Sequence, residues 1–202
     1  MESIKHRITT KQTIKHSTFI TYLIPVETVE TAKKHLNAIK ADHPGAAHHC
    51  MAYLIGDNQE IQKADDDDEP SQTAGVPILE VFKKQAITNV LCVVVRYFGG
   101  IKLGAGGLIR AYGSSASSAL EKAVRTRKVQ YDTYQITAGF DLIGVMENIL
   151  TPSILIDRAY AQSVTYTVRI PNKEREQWLN QIKEATHGKA VVAYIKSESL
   201  YE

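Results

Sequence analysis

Cysteine is almost missing: two residues, Cys50 and Cys92, in a chain of 202. Two thiols cannot build a multi-disulfide framework. Both lie in apolar runs, where a buried free thiol is the usual occupant, so the usage points to a reducing, cytoplasmic setting. Long apolar runs are missing as well. Nowhere do about 18 uncharged apolar residues follow one another, and the opening MESIKHRITTKQTIKHSTFI is basic without the apolar stretch of a secretory signal. Neither secretion nor membrane spanning is expected. Glycine and proline number only 12 and 6 beside 44% hydrophobic residues. That balance argues against collagen-like and disordered chains and leaves material for a real core, in one large domain or two small ones. Nor does one charge dominate, since 24 basic against 22 acidic side chains give a formal +2.

The neutral total hides an uneven distribution. From Arg96 to Lys128 the only acid is Glu121, against Arg96, Lys102, Arg110, Lys122, Arg125, Arg127 and Lys128. Such a basic stripe suits a polyanion. The acids gather elsewhere, in the run Asp65-Asp66-Asp67-Asp68-Glu69.

Periodicity predicts two domains, 1–130 and 131–202. In the first, STFITYLIP (17–25) has the β-branched and aromatic character of a strand ended by proline. Val29, Ala32, Leu36 and Ile39 recur at helical spacing until His43-Pro44-Gly45 stops them. Residues 46–55 are strand-like. A polar loop follows over 56–75, long enough to be functional or partly disordered, and PILEVFKKQA begins a helix at Pro77. VLCVVV (90–95) predicts a central strand buried on both faces. Leu108, Ala111, Tyr112, Ser115, Ala119 and Ala123 then form one face of a helix opened by Gly106, with small residues that permit close approach to a sheet. In the second domain, strand 131–140, helix 142–150, strands 154–160 and 163–170, helix 172–186 and strand 190–196 give the β-α-β-β-α-β order of the ferredoxin-like motif. Gly188 caps the second helix. That fold carries many unrelated functions and implies no activity by itself.

RYFGGIKLGAGGLIRAY (96–112) holds five of the twelve glycines, three cations and no acid. A glycine loop opening a helix offers free N–H donors to an anion. Arg96, Tyr97, Gly99, Gly100, Lys102, Gly104, Gly106, Gly107 and Arg110 are therefore the candidate anion or nucleic-acid contacts. The competing account is a tight strand-to-helix crossover that needs the same glycines. Neither nucleotide fingerprint fits this spacing, and no cofactor is expected.

His48-His49-Cys50 has metal-ligand residue types, but strand alternation puts His48 and Cys50 on one face and His49 on the other. No second ligand pair completes a zinc site, so packing beside a cleft is the expected role. For the acidic run three readings compete: a solvated loop tip, a holder of Mg²⁺ through water, or a partner for Arg96 or Arg110. Pro70 and Gly75 favour a defined turn, with Ser71 or Thr73 capping the next helix. His48, Cys50, Asp66, Asp67, Glu69, Ser71 and Thr73 are expected to line one cleft with the glycine segment, the acids orienting the arginines. No nucleophile elbow precedes the serines at 114–118, and no catalytic constellation emerges.

HHCMAY (48–53), DDDDEPSQTAGVPIL (65–79) and VVVRYFGGIKLGAGGLIRAY (93–112) resemble the YigZ/IMPACT family, the last nearly without gaps. The two-domain layout is similar to the bacterial YigZ branch. Where the family usually shows Ser-Asp-Asp-Gly-Glu-Pro-Ser-Gly, this chain has Asp65-Asp66-Asp67-Asp68-Glu69-Pro70-Ser71-Gln72, without glycine at 68 and 72. The resemblance implies an α+β protein. Its first domain would be similar to domain IV of elongation factor G, with a ribosomal-protein-like β-α-β fold, and its ferredoxin-like second domain to domain V. Because eukaryotic relatives act in translational control, it also implies a non-enzymatic nucleic-acid- or ribosome-binding protein linked to regulation of translation. RNA or the ribosome is the expected partner, with DNA or a protein of translational control as further candidates. Two other classes stay open. One is a metal-assisted hydrolase or transferase acting on a phosphorylated ligand, with Asp66, Asp67 and Glu69 on the metal and His48 as acid or base. The other is a protein-interaction module.

Overall fold

Alternation along VLCVVV sets the layering of the first unit. Cys92 and Val94 pack into one cluster with Phe19, Leu23, Cys50 and Tyr112, while Leu91, Val93 and Val95 pack into another with Ala32, Ile39, Met51 and Tyr53. A strand apolar on both faces needs cover on both, and helices supply it. The computed structural model describes residues 1–151 and 154–202 and divides into two units, Met1–Arg127 and Lys128–Glu202.

The first unit runs β1 (Glu2–Ile4), β2 (Ile8–Ile14), β3 (Ser17–Pro25), α1 (Val29–Asp42), β4 (His48–Ile55), β5 (Ile61–Asp65), α2 (Gly75–Lys84), β6 (Val90–Tyr97) and α3 (Ala105–Glu121). Five of these strands form a sheet in the order β2-β3-β6-β4-β5, antiparallel throughout, with β6 at its centre. Helices α2 and α3 bury one face of it and α1 the other. Strand β1 pairs with the first residues of β7 (Arg125–Ala138), Glu2 opposite Arg127 and Ile4 opposite Arg125.

Two strands of this sheet have no expectation behind them, for a physical reason. In β2 the inward positions are Ile8, Thr10, Gln12 and Ile14, so half of its buried side are polar and the hydrophobic alternation is faint. It is held by its hairpin to β3, whose turn residues Lys15 and His16 both have positive φ, 44° and 66°, the geometry that matches strand twist. Strand β5, inside the stretch read as loop, is an exposed edge that exists only because β4 offers it a ladder. Helix starts also shift. Helix α3 begins at Ala105, one residue before Gly106, with Gly104 at its N-cap in the left-handed region (φ 71°), which suits glycine.

The second unit contains the rest of β7, then α4 (Ile143–Ile149), β8 (Leu155–Tyr160), β9 (Val164–Pro171), α5 (Arg175–Ala185) and β10 (Val191–Tyr201). Its antiparallel sheet has the order β10-β7-β9-β8. Ile136, Val164, Tyr166, Val168 and Ile170 from the sheet meet Met146, Ile149 and Ile182 from the helices in a separate core. Strand β10 runs on to Tyr201 because its polar end, Ser197-Glu198-Ser199, continues the ladder with β7. Antiparallel sheets with helices packed on them make the protein α+β. No helix among the described residues is long and apolar enough to cross a membrane.

Candidate functional site

Register brings three side chains into a row. Arg96 on β6 lies opposite Phe19 on β3 and opposite His48 on β4, so all three stand on the α2/α3 face. A guanidinium there would be buried without a counter-charge, and the loop after β5 delivers one. Glu69 Oε1 accepts from Arg96 Nη1 at 2.6 Å and from the Tyr112 hydroxyl of α3 at 2.7 Å, with both members of the ion pair buried. Arg96 Nη2 reaches Ser17 Oγ at 3.4 Å. Its Nε is buried without a hydrogen-bond partner. Removing one partner of such a pair leaves a buried charge uncompensated, at a cost of about 3–5 kcal/mol. Arg96 and Glu69 therefore clamp the acidic loop to the sheet.

The remaining acids have structural work of their own. Asp66 Oδ1 accepts from the N–H groups of Ala74 and Gly75 at 2.9 and 2.8 Å, and its Oδ2 from Gln72 N at 2.7 Å. It thereby caps α2, whose own N-cap position is Ala74 and has no side-chain bond. That corrects the expected cap. Thr73 donates instead to the Pro70 carbonyl at 2.5 Å, and Ser71 is exposed. Asp67 pairs with Lys40 at 2.7 Å and accepts from His49 N at 2.7 Å. Partial burial pushes its carboxyl up, but the Lys40 and His49 hydrogen bonds and charges outweigh that and hold it below the usual aspartate value. Asp66, Asp67 and Glu69 thus point to three separate sets of protein donors. Among the described residues no three His, Cys, Asp or Glu side chains are arranged to hold a metal ion.

The imidazole of His48 is oriented by the loop. Its Nδ1 lies 2.8 Å from the Asp67 carbonyl, which can only accept, so Nδ1 carries the proton and Nε2 faces Glu69 Oε1 at 3.8 Å. Cys50, one step deeper on the same face, is fully buried and donates to the Asp66 carbonyl at 3.0 Å. Burial pushes the Cys50 thiol far up, which removes it as a nucleophile. Burial raises the Tyr112 hydroxyl in the same way.

Above this cluster opens a cavity of about 390 Å³ lined by His48, Asp68, Glu69, Pro70, Arg96, Phe98, Lys102, Leu103, Gly104, Ala105 and Leu108. Sequence-predicted residues from three chain segments meet in it: His48, Glu69, and Arg96, Lys102 and Gly104. Others do not line it. Tyr97 follows Arg96 on the strand and so points to the opposite face, where its hydroxyl bonds His43 Nδ1 at 2.9 Å. Gly99 supports the floor: a Cβ there would stand 2.0 Å from the His16 backbone, and its N–H donates to Ser17 Oγ at 3.2 Å. Gly100 and Gly106 are exposed, and Gly107 packs against Leu103. Cys50, Asp66, Asp67, Ser71 and Thr73 hold the loop from behind or lie away from the opening. Part of the basic stripe is spent on structure, since Arg125 pairs with Glu2 at 3.0 Å. Lys102 and Arg110 are exposed and make no ion pair among the described residues. The α3 N-terminus between them has no side-chain cap.

Sequence reasoning missed Pro70, Phe98, Leu103, Ala105 and Leu108 as lining residues, while Asp68 lines the cavity as part of the turn from Asp66 to Glu69 expected to reach it. Phe98 could have been found, because an aromatic between Tyr97 and a double glycine has no regular element in which to be buried.

An Impact N-terminal domain model matches residues 15–120. The chain belongs to the IMPACT family. It is similar to the IMPACT family member YvyE of Bacillus subtilis (strain 168), 42% identical over 179 residues, 88% of this chain and 82% of the relative. It is similar also to the IMPACT family member YigZ of Escherichia coli (strain K12), 32% identical over 185 residues, 90% of this chain and 91% of that one. A crystal structure described as that of a hypothetical protein superposes with a TM-score of 0.63 at 31% identity, covering 96% of this chain and 97% of its own. The matched IMPACT segment contains every residue of the cavity.

Proposed function

We propose that this IMPACT family member is a non-enzymatic nucleic-acid- or ribosome-binding protein of the cytoplasm, linked to the regulation of translation, that contacts phosphates at the glycine loop. The observation carrying this reading is the uncapped start of α3 beside a cavity rimmed by Lys102, with Arg110 exposed further along the helix. Free N–H groups at a helix start and two cations without counter-ions form a surface that favours phosphate oxygens. Of the carboxylates at the loop, Glu69 is neutralised by Arg96 and Asp67 by Lys40, while Asp68 stays exposed at the cavity. The family resemblance implies a likeness to domains IV and V of elongation factor G, and that expectation is in line with a ribosomal or RNA partner.

Fluorescence anisotropy with a structured RNA and a duplex DNA across a salt series tests the reading. Log affinity should fall linearly with log salt, and Lys102→Ala or Arg110→Ala should each flatten the slope by about 0.7–0.9. Salt-independent binding, or no binding at low salt, sinks it.

A further inference from the structure

Phe98 is a large apolar side chain left half in solvent, 51% exposed, at the wall of the cavity. Its ring is not loose. The Arg96 guanidinium carbon lies 5.5 Å from the ring centroid, and Arg96 is itself fixed by Glu69 and Ser17. One side of the ring is thus backed by a buried cation, as cation–π attraction favours, and the rest is open. Beside it the cavity of about 390 Å³ lies at the small end of the roughly 300–1,000 Å³ range of small-ligand pockets. A volume of that size has room for a flat ring system such as a nucleobase. Leu103 and Leu108 supply apolar wall, while His48 Nε2 and the exposed Asp68 offer hydrogen-bonding groups. Lys102 lines the same cavity, and Arg110 is exposed on α3.

We infer that the ligand is a single-stranded polynucleotide, one of whose bases leaves its neighbours and stacks on Phe98 while Lys102, Arg110 and the α3 N-terminus hold the flanking phosphates. The inference rests on the anion-binding reading above and adds the strand state of the ligand. A duplex keeps its bases stacked inside and presents only phosphates, so it can use the cations but not Phe98. Base stacking on an aromatic ring tolerates any sequence, because every base has a π-face.

The test compares three probes on the whole protein, a 12-nucleotide oligo(U), a 12-nucleotide oligo(dT) and a 12-base-pair duplex, by anisotropy across a salt series. Both single strands should bind more tightly than the duplex. Phe98→Ala should weaken single-strand binding by roughly 5- to 150-fold, leave duplex binding and the salt slope unchanged, and leave Tm near wild type because the ring is half exposed. Phe98→Trp should keep the affinity and show fluorescence quenching with single strands alone. Tighter oligo(U) than oligo(dT) binding identifies RNA as the source of the strand, and equal binding identifies any single strand. If Phe98→Ala binds single strands like wild type while Lys102→Ala flattens the salt slope, the stacking proposal is overturned and the phosphate reading stands. If no probe binds at low salt, both fall together.

Discussion

Gln72 holds a backbone conformation that glutamine resists. Its φ is 63°, and Asp68 nearby has φ 68°. A Cβ in this left-handed region crowds the following carbonyl, at a cost of about 1–3 kcal/mol at a strained site. The loop adopts the shape even so, because Gln72 N–H must reach Asp66 Oδ2, 2.7 Å away, and Glu69 must reach Arg96. Neither position is glycine, so the loop holds this conformation without the residue best suited to it. Gln72→Gly should therefore raise stability by about 0.5–1.5 kcal/mol after the entropy cost of glycine is set against the relieved strain. Asp68→Gly should gain less, since aspartate enters this region more readily than glutamine. Urea denaturation of the two variants checks the order, and a destabilised Gln72→Gly would show that its side chain has a role in the loop.

At the scale of elements, the loop between β5 and α2 is held at both ends by carboxylates acting on different partners. Asp66 satisfies the N–H groups at the start of α2, and Asp67 ties the loop to Lys40 of α1 and to β4. Because the folded pKa of Asp67 is depressed, its contribution is complete above the ordinary aspartate pKa of 3.8 and is lost as the pH falls through the folded value. Wild type should thus lose more stability than Asp67→Asn on acidification from about pH 5 to pH 2. Denaturation midpoints measured across that window test it, and parallel losses in the two proteins would remove Asp67 from the acid response. The same element view explains the cavity: β6 ends at Tyr97, the chain crosses to α3, and what lies between must be glycine where it meets the His16 backbone.

For the molecule as a whole, two separate cores imply two separately stable bodies. Phe19, Cys92, Val94 and Tyr112 share no cluster with Ile136, Val164, Met146 and Ile182. The matched family segment, 15–120, lies within the first unit, as does the cavity. Fragments 1–127 and 128–202 should each unfold cooperatively by circular dichroism, and the first should retain the salt-dependent anion binding of the full chain. A first fragment that folds but no longer binds would assign part of the interface to the second unit.

Periodicity alone determined the elements whose burial is apolar. Strands at 17–25 and 90–95, the helix face from Leu108 to Ala119 and the β-α-β-β-α-β order of the second unit were legible because hydrophobic repeats report which side is covered. Strand alternation likewise separated His48 and Cys50 from His49 before any fold was known. The charge pattern marked the glycine loop and the acidic run as places of chemistry. Tertiary structure decided what those charges do. Asp66 caps a helix, Glu69 neutralises Arg96, and Lys102 and Arg110 stay exposed, although all five are simply charged residues in the chain. It also placed Tyr97 away from the cavity and Phe98 beside it, and it made strands of β2 and β5, where the sequence carries little apolar signal. The physical reason is the same in each case. Hydrophobic burial is written in the local repeat, whereas a counter-charge, a cap or an edge ladder comes from a partner outside that repeat, as Glu69 does for Arg96 and Asp66 for Ala74 and Gly75, and only the folded chain sets its position.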